Sequence, residues 1–369
     1  MDDILNIAAQ FRPASGAVAD VKPYGTGNIN DTYLVTVDGG VHRRFILQRI
    51  NQRVFPYPKL IMANLRAFSE HIAAKQVDPK RENGRWELPQ VVPAQDGQDY
   101  VIDEDGEFWR AITFIEGARA YPKVRDAQHA REAGYALGRF QQLISDMDVD
   151  ALHDTLPGFH ILPSYLDHYR EVLATDPGRL NGADAQQCAA FIDAHCDEAL
   201  ILERARDRGD LRVRPIHGDP KIDNIMIDTR TDRAVSIVDL DTVKPGLVQY
   251  DIGDCLRSSC NPLGEETHEI DQVAFNLDLG EMILRGYLPQ TEAFFTDTDY
   301  ETVYDAVWCL AFEMGLRFFT DYLEGDVYFK VHYPRNNIMR ARVQFALAES
   351  IAAQESEIRD LVRALRRSL

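Results

Sequence analysis

Apolar and polar positions alternate through "DTYLVTV" (31–37) and again through "RRFILQRI" (43–50). A period of two predicts β-strands, and the intervening "DGG" predicts a hairpin turn. The period then lengthens. "YPKLIMANLRAFSEHIAAK" (57–75) spaces its apolar residues at three and four behind a proline, which predicts a helix. "LPQVVPAQDGQDYVIDEDGEFWRAITFIEG" (88–117) returns to short strands broken by "DG" turns. Beyond Tyr121 helices dominate. In "RDAQHAREAGYALGRFQQLI" Ala130, Gly134, Leu137, Phe140 and Leu143 share one side, and 186–206 and most of 265–369 read the same way. One β island interrupts this half, around "IHGDPKIDNIMID" (216–228). The pattern is α+β: a small β-rich lobe expected over 1–116 and a larger, mainly helical lobe over 117–369.

Composition narrows the setting. A chain of 369 residues, 45% hydrophobic and 27% charged, is long enough for two folded units. Its formal net charge of −19 disfavours nucleic acid and anionic membranes as partners. No apolar run reaches the ~18 residues of a membrane span, and "MDDILNIAAQFRP" begins with two acids where a signal peptide needs positive charge. Five scattered cysteines without a C-x-x-C pair suit reduced thiols. A cytoplasmic protein is expected, as a monomer or small homo-oligomer.

The β island carries the candidate chemistry. "NIMID" and "AVSIVDLD" flank the polar "DTRTDR", a second hairpin. Placing Ile227 opposite Ala234 puts Asn224 roughly opposite Ile237 and near Asp239, with Asp219 on the loop entering the same end. Asp239 and Asp241 share a face if the chain stays extended. Crowded oxygen ligands call for a cation, and aspartate with an asparagine carbonyl suits Mg²⁺ better than zinc or copper. A separate aspartate able to deprotonate an acceptor hydroxyl would complete a phosphoryl-transfer site. The plainer reading of Asp219 and Asn224 is a satisfied Asx turn, which leaves the downstream Asp239 strand without a purpose.

His217, Asp219 and Asn224, spaced H-x-D-x-x-x-x-N and followed by "IVD" ending at Asp239, resemble the signature of the aminoglycoside phosphotransferase and choline kinase group. These are small-molecule kinases with a protein-kinase-like bilobal fold. "YGTGNINDTYLV", "FILQRIN", "IVDLDTVKPGLVQYDIGD" and "RFFTDYLEGDVYF" resemble, more narrowly, N-acetylhexosamine 1-kinases, which phosphorylate the anomeric hydroxyl of GlcNAc or GalNAc. The resemblance implies ATP and Mg²⁺ as cofactors, Asp219 as catalytic base, and Asn224 and Asp239 as metal ligands, with Asp241 a further candidate. His217 would support the loop, and Asp251 would brace it through backbone amides. Gly25, Gly27 and Asn28 would cover the phosphates. Arg49 is favoured over its neighbour Gln48 as the phosphate-holding cation, since strand alternation lets only one face the nucleotide. "FIEG", with Phe114 and Glu116, would form the hinge beside adenine. Arg317, Asp321 and Tyr328 are the candidate sugar contacts, although an arginine on an amphipathic helix commonly just snorkels. Trp308 reads as core, and the remaining histidines carry no assigned role. Competing readings are a kinase of another hydroxylated acceptor (aminoglycoside, choline or homoserine), an inactive kinase-like binding module, and a glycosyltransferase using "DLD" for metal. The last would leave the H-x-D-x-x-x-x-N run unexplained.

Overall fold

A computed structural model describes residues 2–11, 16–25, 29–38, 44–75, 85–175 and 179–369. In chain order the strands are β1 (Val18–Pro23), β2 (Asp31–Val37), β3 (Arg44–Ile50), β4 (Val101–Ile102), β5 (Phe108–Thr113), β6 (Ala118–Arg119), β7 (Arg214–Ile216), β8 (Ile225–Asp228), β9 (Ala234–Ile237) and β10 (Lys244–Gly246). The helices are α1 (Asp2–Ala8), α2 (Pro58–Ala74), α3 (Ala127–Ile144), α4 (Leu162–Thr175), α5 (Ala183–His195), α6 (Ile201–Asp207), α7 (Val248–Ser259), α8 (Leu277–Thr291), α9 (Asp297–Glu301), α10 (Val303–Glu324), α11 (Asn336–Ala352) and α12 (Glu355–Arg366). The chain divides into two compact units, a smaller one built on an antiparallel sheet and a larger, mainly helical one.

The first unit comprises Met1–Ala118, Met147–Pro157 and Val238–Lys244. Its five strands run in the order β1-β2-β3-β5-β4, all antiparallel. The expected pairing of 31–37 with 44–50 is present, while its "DGG" turn falls partly outside the described residues. Val35, Val37, Phe45, Leu47, Trp109 and Ala111 line one face and pack against Ile7, Ala8 and Phe11. Pro58 opens α2, where its missing N–H costs no hydrogen bond, and Ile61, Met62, Leu65 and Phe68 are buried. A single side chain of α2 reaches both later segments. The Asn64 amide donates to the carbonyls of His153 (2.8 Å) and Val243 (2.9 Å) and accepts from the His153 N–H (2.8 Å). All of its polar atoms are used, as burial requires.

The second unit comprises Arg119–Asp146, Gly158–Ile237 and Pro245–Leu369. Helices α3 and α8 approach almost backbone to backbone. A Cβ on Gly134 would lie 1.9 Å from the Ile283 carbonyl oxygen, and one on Gly286 would lie 2.0 Å from that of Arg131. Only glycine permits this crossing. The apolar side predicted for α3 is buried throughout, and Trp308 lies in the core that α10 shares with its neighbours. In the β8–β9 hairpin Ile227 faces Ala234 as expected, but a register shift between Met226 and Ile227 makes Ile225, not Asn224, the partner of Ile237. Asn224 therefore precedes the ladder, at the end of a 3₁₀ turn. All five cysteines are free, and among the described residues no helix is long and apolar enough to cross a membrane.

Candidate active site

The loop after β7 is held from several sides by groups other than its own aspartate. The buried Asp251 carboxylate accepts from the backbone N–H groups of His217 (2.9 Å) and Gly218 (2.8 Å) and from the Gln141 amide (2.8 Å). Tyr287 in turn donates to Gln141 at 2.6 Å, so the close α3–α8 crossing reaches the loop directly. Burial raises the Asp251 pKa against the lowering effect of His217 and these donors. Gly218 adopts φ +88°, a conformation open to glycine. The His217 Nδ1 accepts from the Asp219 N–H at 3.2 Å, and the Asn224 amide donates to the Asp219 carbonyl at 2.7 Å. The Asp219 carboxylate stays partly exposed, 3.1 Å from the Lys221 ammonium. Lys221 was not singled out from the sequence, although its position two residues past Asp219 carried the hint.

Within the first unit the strand register decides which side chains share a face. Gln48 stands opposite both Thr32 and Arg110, whereas Arg49 stands opposite Asp31 and Trp109. Directly opposed residues project to the same side of a sheet. Arg49 accordingly pairs with Asp31, largely exposed, on the face that carries Phe45 and Leu47. On the other face the Arg110 guanidinium donates to Gln48 Oε1 (3.0 and 2.8 Å) and to Asp241. Gln48 donates to the Thr32 hydroxyl (3.1 Å), and Asn30 donates to Asp241 at 2.8 Å while accepting from the Asn51 N–H at 3.0 Å. The side chains of Arg110 and Asp241 are each 2% exposed.

Two expectations change here. Arg49 gives way to Gln48 on the face bearing the buried polar network, and the cation there is Arg110, from the neighbouring strand. Asp241, a candidate metal ligand, has one oxygen engaged by a guanidinium and the other by Asn30. A positive group on that carboxylate opposes a second cation. Asp239, by contrast, is exposed and holds left-handed backbone at φ 64°, an uncommon conformation for a residue with a side chain.

Gly25 lies at φ +77°, while Gly27 and Asn28 lie outside the described residues. Phe114 meets Tyr24 edge-on at 5.7 Å and carries the Arg44 guanidinium 4.6 Å from its ring centre. The Glu116 carboxylate is spent on Arg44 at the surface, so only its backbone is left for a hinge role.

On α10, Arg317 lies amid aromatic rings, its guanidinium 5.1 Å from the centres of Phe159 and Tyr165, 5.5 Å from Phe329 and 6.0 Å from Tyr328. Its side chain is 11% exposed and lies 3.8 Å from Glu313. Burial works against its charge, but Tyr165, Glu313, Tyr328 and Asp219 outweigh this and raise its pKa. Such a group is a desolvated cation near the Asp219 loop, not a snorkelling arginine. Asp321 takes another task than the sugar contact expected of it. It is buried and accepts from the N–H groups of Val327 (2.9 Å), Tyr328 (2.7 Å) and Phe329 (3.0 Å) and from the Asn337 amide (2.8 Å). That shapes the turn carrying Tyr328 and Phe329 to Arg317.

The model of the phosphotransferase enzyme family, APH, matches residues 20–286. The chain belongs to this family. It is an ATP-dependent small-molecule kinase that uses ATP and Mg²⁺. It is similar to the solved structure of a microcompartment-associated aminopropanol kinase, with 16% identity, 97% of this chain and 98% of that one covered, and a TM-score of 0.64. An aminoglycoside phosphotransferase from Alicyclobacillus acidocaldarius is similar at 14% identity, 98% and 95% coverage and a TM-score of 0.60. A choline/ethanolamine kinase family protein from Mesorhizobium loti is similar at 15%, 98% and 99%, and 0.58. At these identities the likeness establishes the protein-kinase-like fold.

The donors present fit magnesium. Asn224 and Asp239 each offer a hard oxygen atom, and the bond from the Asn224 amide nitrogen to the Asp219 carbonyl fixes which end of that amide is left to bind. Among the described residues no group of three or more His, Cys, Asp or Glu is placed to hold a metal. Mg²⁺ bound through one or two protein ligands, waters and substrate phosphates needs no such cage.

Proposed function

We propose that this kinase phosphorylates a sugar, an N-acetylhexosamine at its anomeric hydroxyl, in the cytoplasm. The observation that carries the reading is Arg317. An acceptor binding beside Asp219 meets a buried guanidinium among Phe159, Tyr165, Tyr328 and Phe329. Aromatic faces with one fixed cationic donor suit a neutral, oxygen-rich ring carrying an amide carbonyl. The same guanidinium repels an ammonium.

In this reading Asp219 orients the acceptor hydroxyl and takes its proton as the oxygen bonds to the γ-phosphorus and the bond from that phosphorus to the β–γ bridging oxygen breaks, releasing ADP. Asn224 and Asp239 would serve as magnesium ligands, and magnesium when bound would neutralise charge on the phosphates. Lys221 adds positive charge near the transferring group. Asp239→Ala is expected to weaken Mg²⁺-dependent ATP binding about tenfold or more, equivalent to ~1.4 kcal/mol. Titration calorimetry with and without Mg²⁺ measures this, and unchanged affinity would remove Asp239 from the metal site.

A second reading, a cationic amino alcohol as acceptor, is favoured by the similar aminopropanol and choline/ethanolamine kinase structures. Phosphorus NMR of the product made from ATP and N-acetylglucosamine decides between the two, because an anomeric phosphate couples to the anomeric proton. Arg317→Met is expected to raise KM for the amino sugar by about 10–100-fold, the scale of a charge-assisted hydrogen bond, and to leave KM for ATP in place. Turnover of choline or aminopropanol, with none of the amino sugar, would transfer the assignment to the second reading.

A further inference from the structure

Ten histidines are present in the chain, and the site described so far uses only His217. His160, between α3 and α4, is buried, and both of its ring nitrogens meet oxygen atoms. Nδ1 lies 2.9 Å from the Glu313 carboxylate on α10, and Nε2 lies 2.7 Å from the Gly218 carbonyl. A carbonyl oxygen can only accept, so Nε2 must carry a proton. With Glu313 as a carboxylate, which can only accept, Nδ1 carries one too. The ring is then a buried cation whose two bonds join α10 to the residue preceding Asp219. His160 also holds φ 60°, a backbone conformation that persists only where its surroundings impose it.

We infer that His160 is a positioning residue for the Asp219 loop, kept as an imidazolium between Glu313 and the Gly218 carbonyl, and that it aims the base from outside the H-x-D motif. The Gly218 carbonyl belongs to the peptide that joins Gly218 to Asp219. A charge-assisted bond on that carbonyl fixes the peptide plane, and with it the direction in which the Asp219 side chain leaves the backbone. On its opposite side the same peptide unit is tied by its N–H to His217.

The surroundings agree with a charged ring. Glu313 is its counter-ion, and Asp254 on α7 adds negative charge. Tyr250, also on α7, stacks on the ring at 5.5 Å, Phe159 lies at 4.0 Å, and Tyr165 on α4 bonds to the His160 backbone. Of the nearby cations, Arg317 contacts Glu313 at 3.8 Å and Arg257 pairs with Asp254 at 2.7 Å. Burial alone would lower the His160 pKa; Glu313, Asp254 and the Gly218 carbonyl outweigh it and raise the value. Because the folded-state value is raised, the stabilisation is complete below the ordinary histidine pKa of roughly 6.5 and is lost as pH rises through the higher folded value.

The inference rests on Asp219 being the base, and its test separates the two claims. In protein labelled with ¹⁵N-histidine at about pH 8, above the ordinary value, both His160 ring nitrogens are expected to resonate as protonated; His160→Gln assigns the signals by their loss. A bare ring nitrogen, or a neutral ring with the proton on Glu313, overturns the imidazolium. Glu313→Gln keeps the shape and removes the counter-charge. Its kcat is expected to fall about tenfold as pH rises through the ordinary histidine range, beyond any change in the parent enzyme, with KM for ATP steady. His160→Ala is expected to lower kcat about 10²-fold, the scale of a misplaced catalytic group. Parental kcat at every pH in folded Glu313→Gln, or in folded His160→Ala, overturns the positioning role. If Asp219→Asn proves fully active while the doubly protonated ring is observed, the base assignment has failed and the structural bond has not.

Discussion

Asp219→Asn is expected to lower kcat by about 10²–10⁴-fold, the usual range for a general base, and to leave nucleotide affinity within about a factor of two. The reason for expecting so clean a separation lies in how the loop is built. Its frame uses the backbone of residue 219, not the side chain: the N–H bonds to His217 and the carbonyl accepts from Asn224. Asp251 and His160 grip the preceding residues. Asparagine at 219 therefore disturbs none of the bonds that shape the loop. It keeps the size of aspartate and can still accept a hydrogen bond, but it cannot take up the acceptor's proton. The side chain lies 3.1 Å from the Lys221 ammonium, an attraction that the neutral amide weakens without altering the backbone bonds. Kinetics by ADP release, with calorimetry for ADP and ATP, measures both halves. Full activity in the variant would remove the base, while loss of nucleotide binding together with kcat would point to a collapsed loop.

Local pattern and chemistry were legible before any coordinates. The period-two runs became β2 and β3, the apolar side of α3 is buried residue for residue, and the mixed α+β architecture followed from the switch in period. What could not be read were facts of register and of long-range pairing. Alternation allows one of Gln48 and Arg49 to face a given side, but choosing between them needs the partners across the strand, and those come from residues 32 and 110. Arg110 itself looks like an ordinary strand arginine until Asp241, 131 residues later, is found against it. The one-residue displacement of Asn224 came from one extra residue on β9 opposite Met226 and Ile227, which leaves no mark in composition. Asp321 carried a polar side chain beside aromatics, the pattern of a sugar contact. Its oxygens were instead claimed by the turn folding back six to eight residues further on. His160 offered no sequence signal, because both of its partners are distant in the chain.

The other large effect is expected on stability. With both side chains 2% exposed, Arg110 and Asp241 form a pair in which removing either partner strands a charge away from water. Arg110→Met or Asp241→Asn is expected to cost about 3–5 kcal/mol, read from the shift in urea unfolding midpoint at constant slope. The pair itself need not be worth that much. Desolvating two charges consumes most of their attraction, and the Arg110 Nη1 is buried without a hydrogen-bond partner, an expense of about 1–3 kcal/mol. The double variant Arg110→Met/Asp241→Asn should therefore recover much of the loss, with the cycle showing strong coupling. Its activity is expected to remain impaired. Arg110 and Asn30 hold Asp241 by its side chain and Thr155 holds it by its carbonyl at 2.6 Å, and Asp239 lies only two residues earlier on that segment. A metal-ligand role for Asp241 gives the opposite pattern: Asp241→Asn would lose Mg²⁺ affinity at nearly unchanged stability, and Arg110→Met would strengthen Mg²⁺ binding by freeing the carboxylate. Unfolding curves and Mg²⁺ titrations on the same three variants distinguish an anchor from a ligand, because only the anchor is rescued by removing both charges.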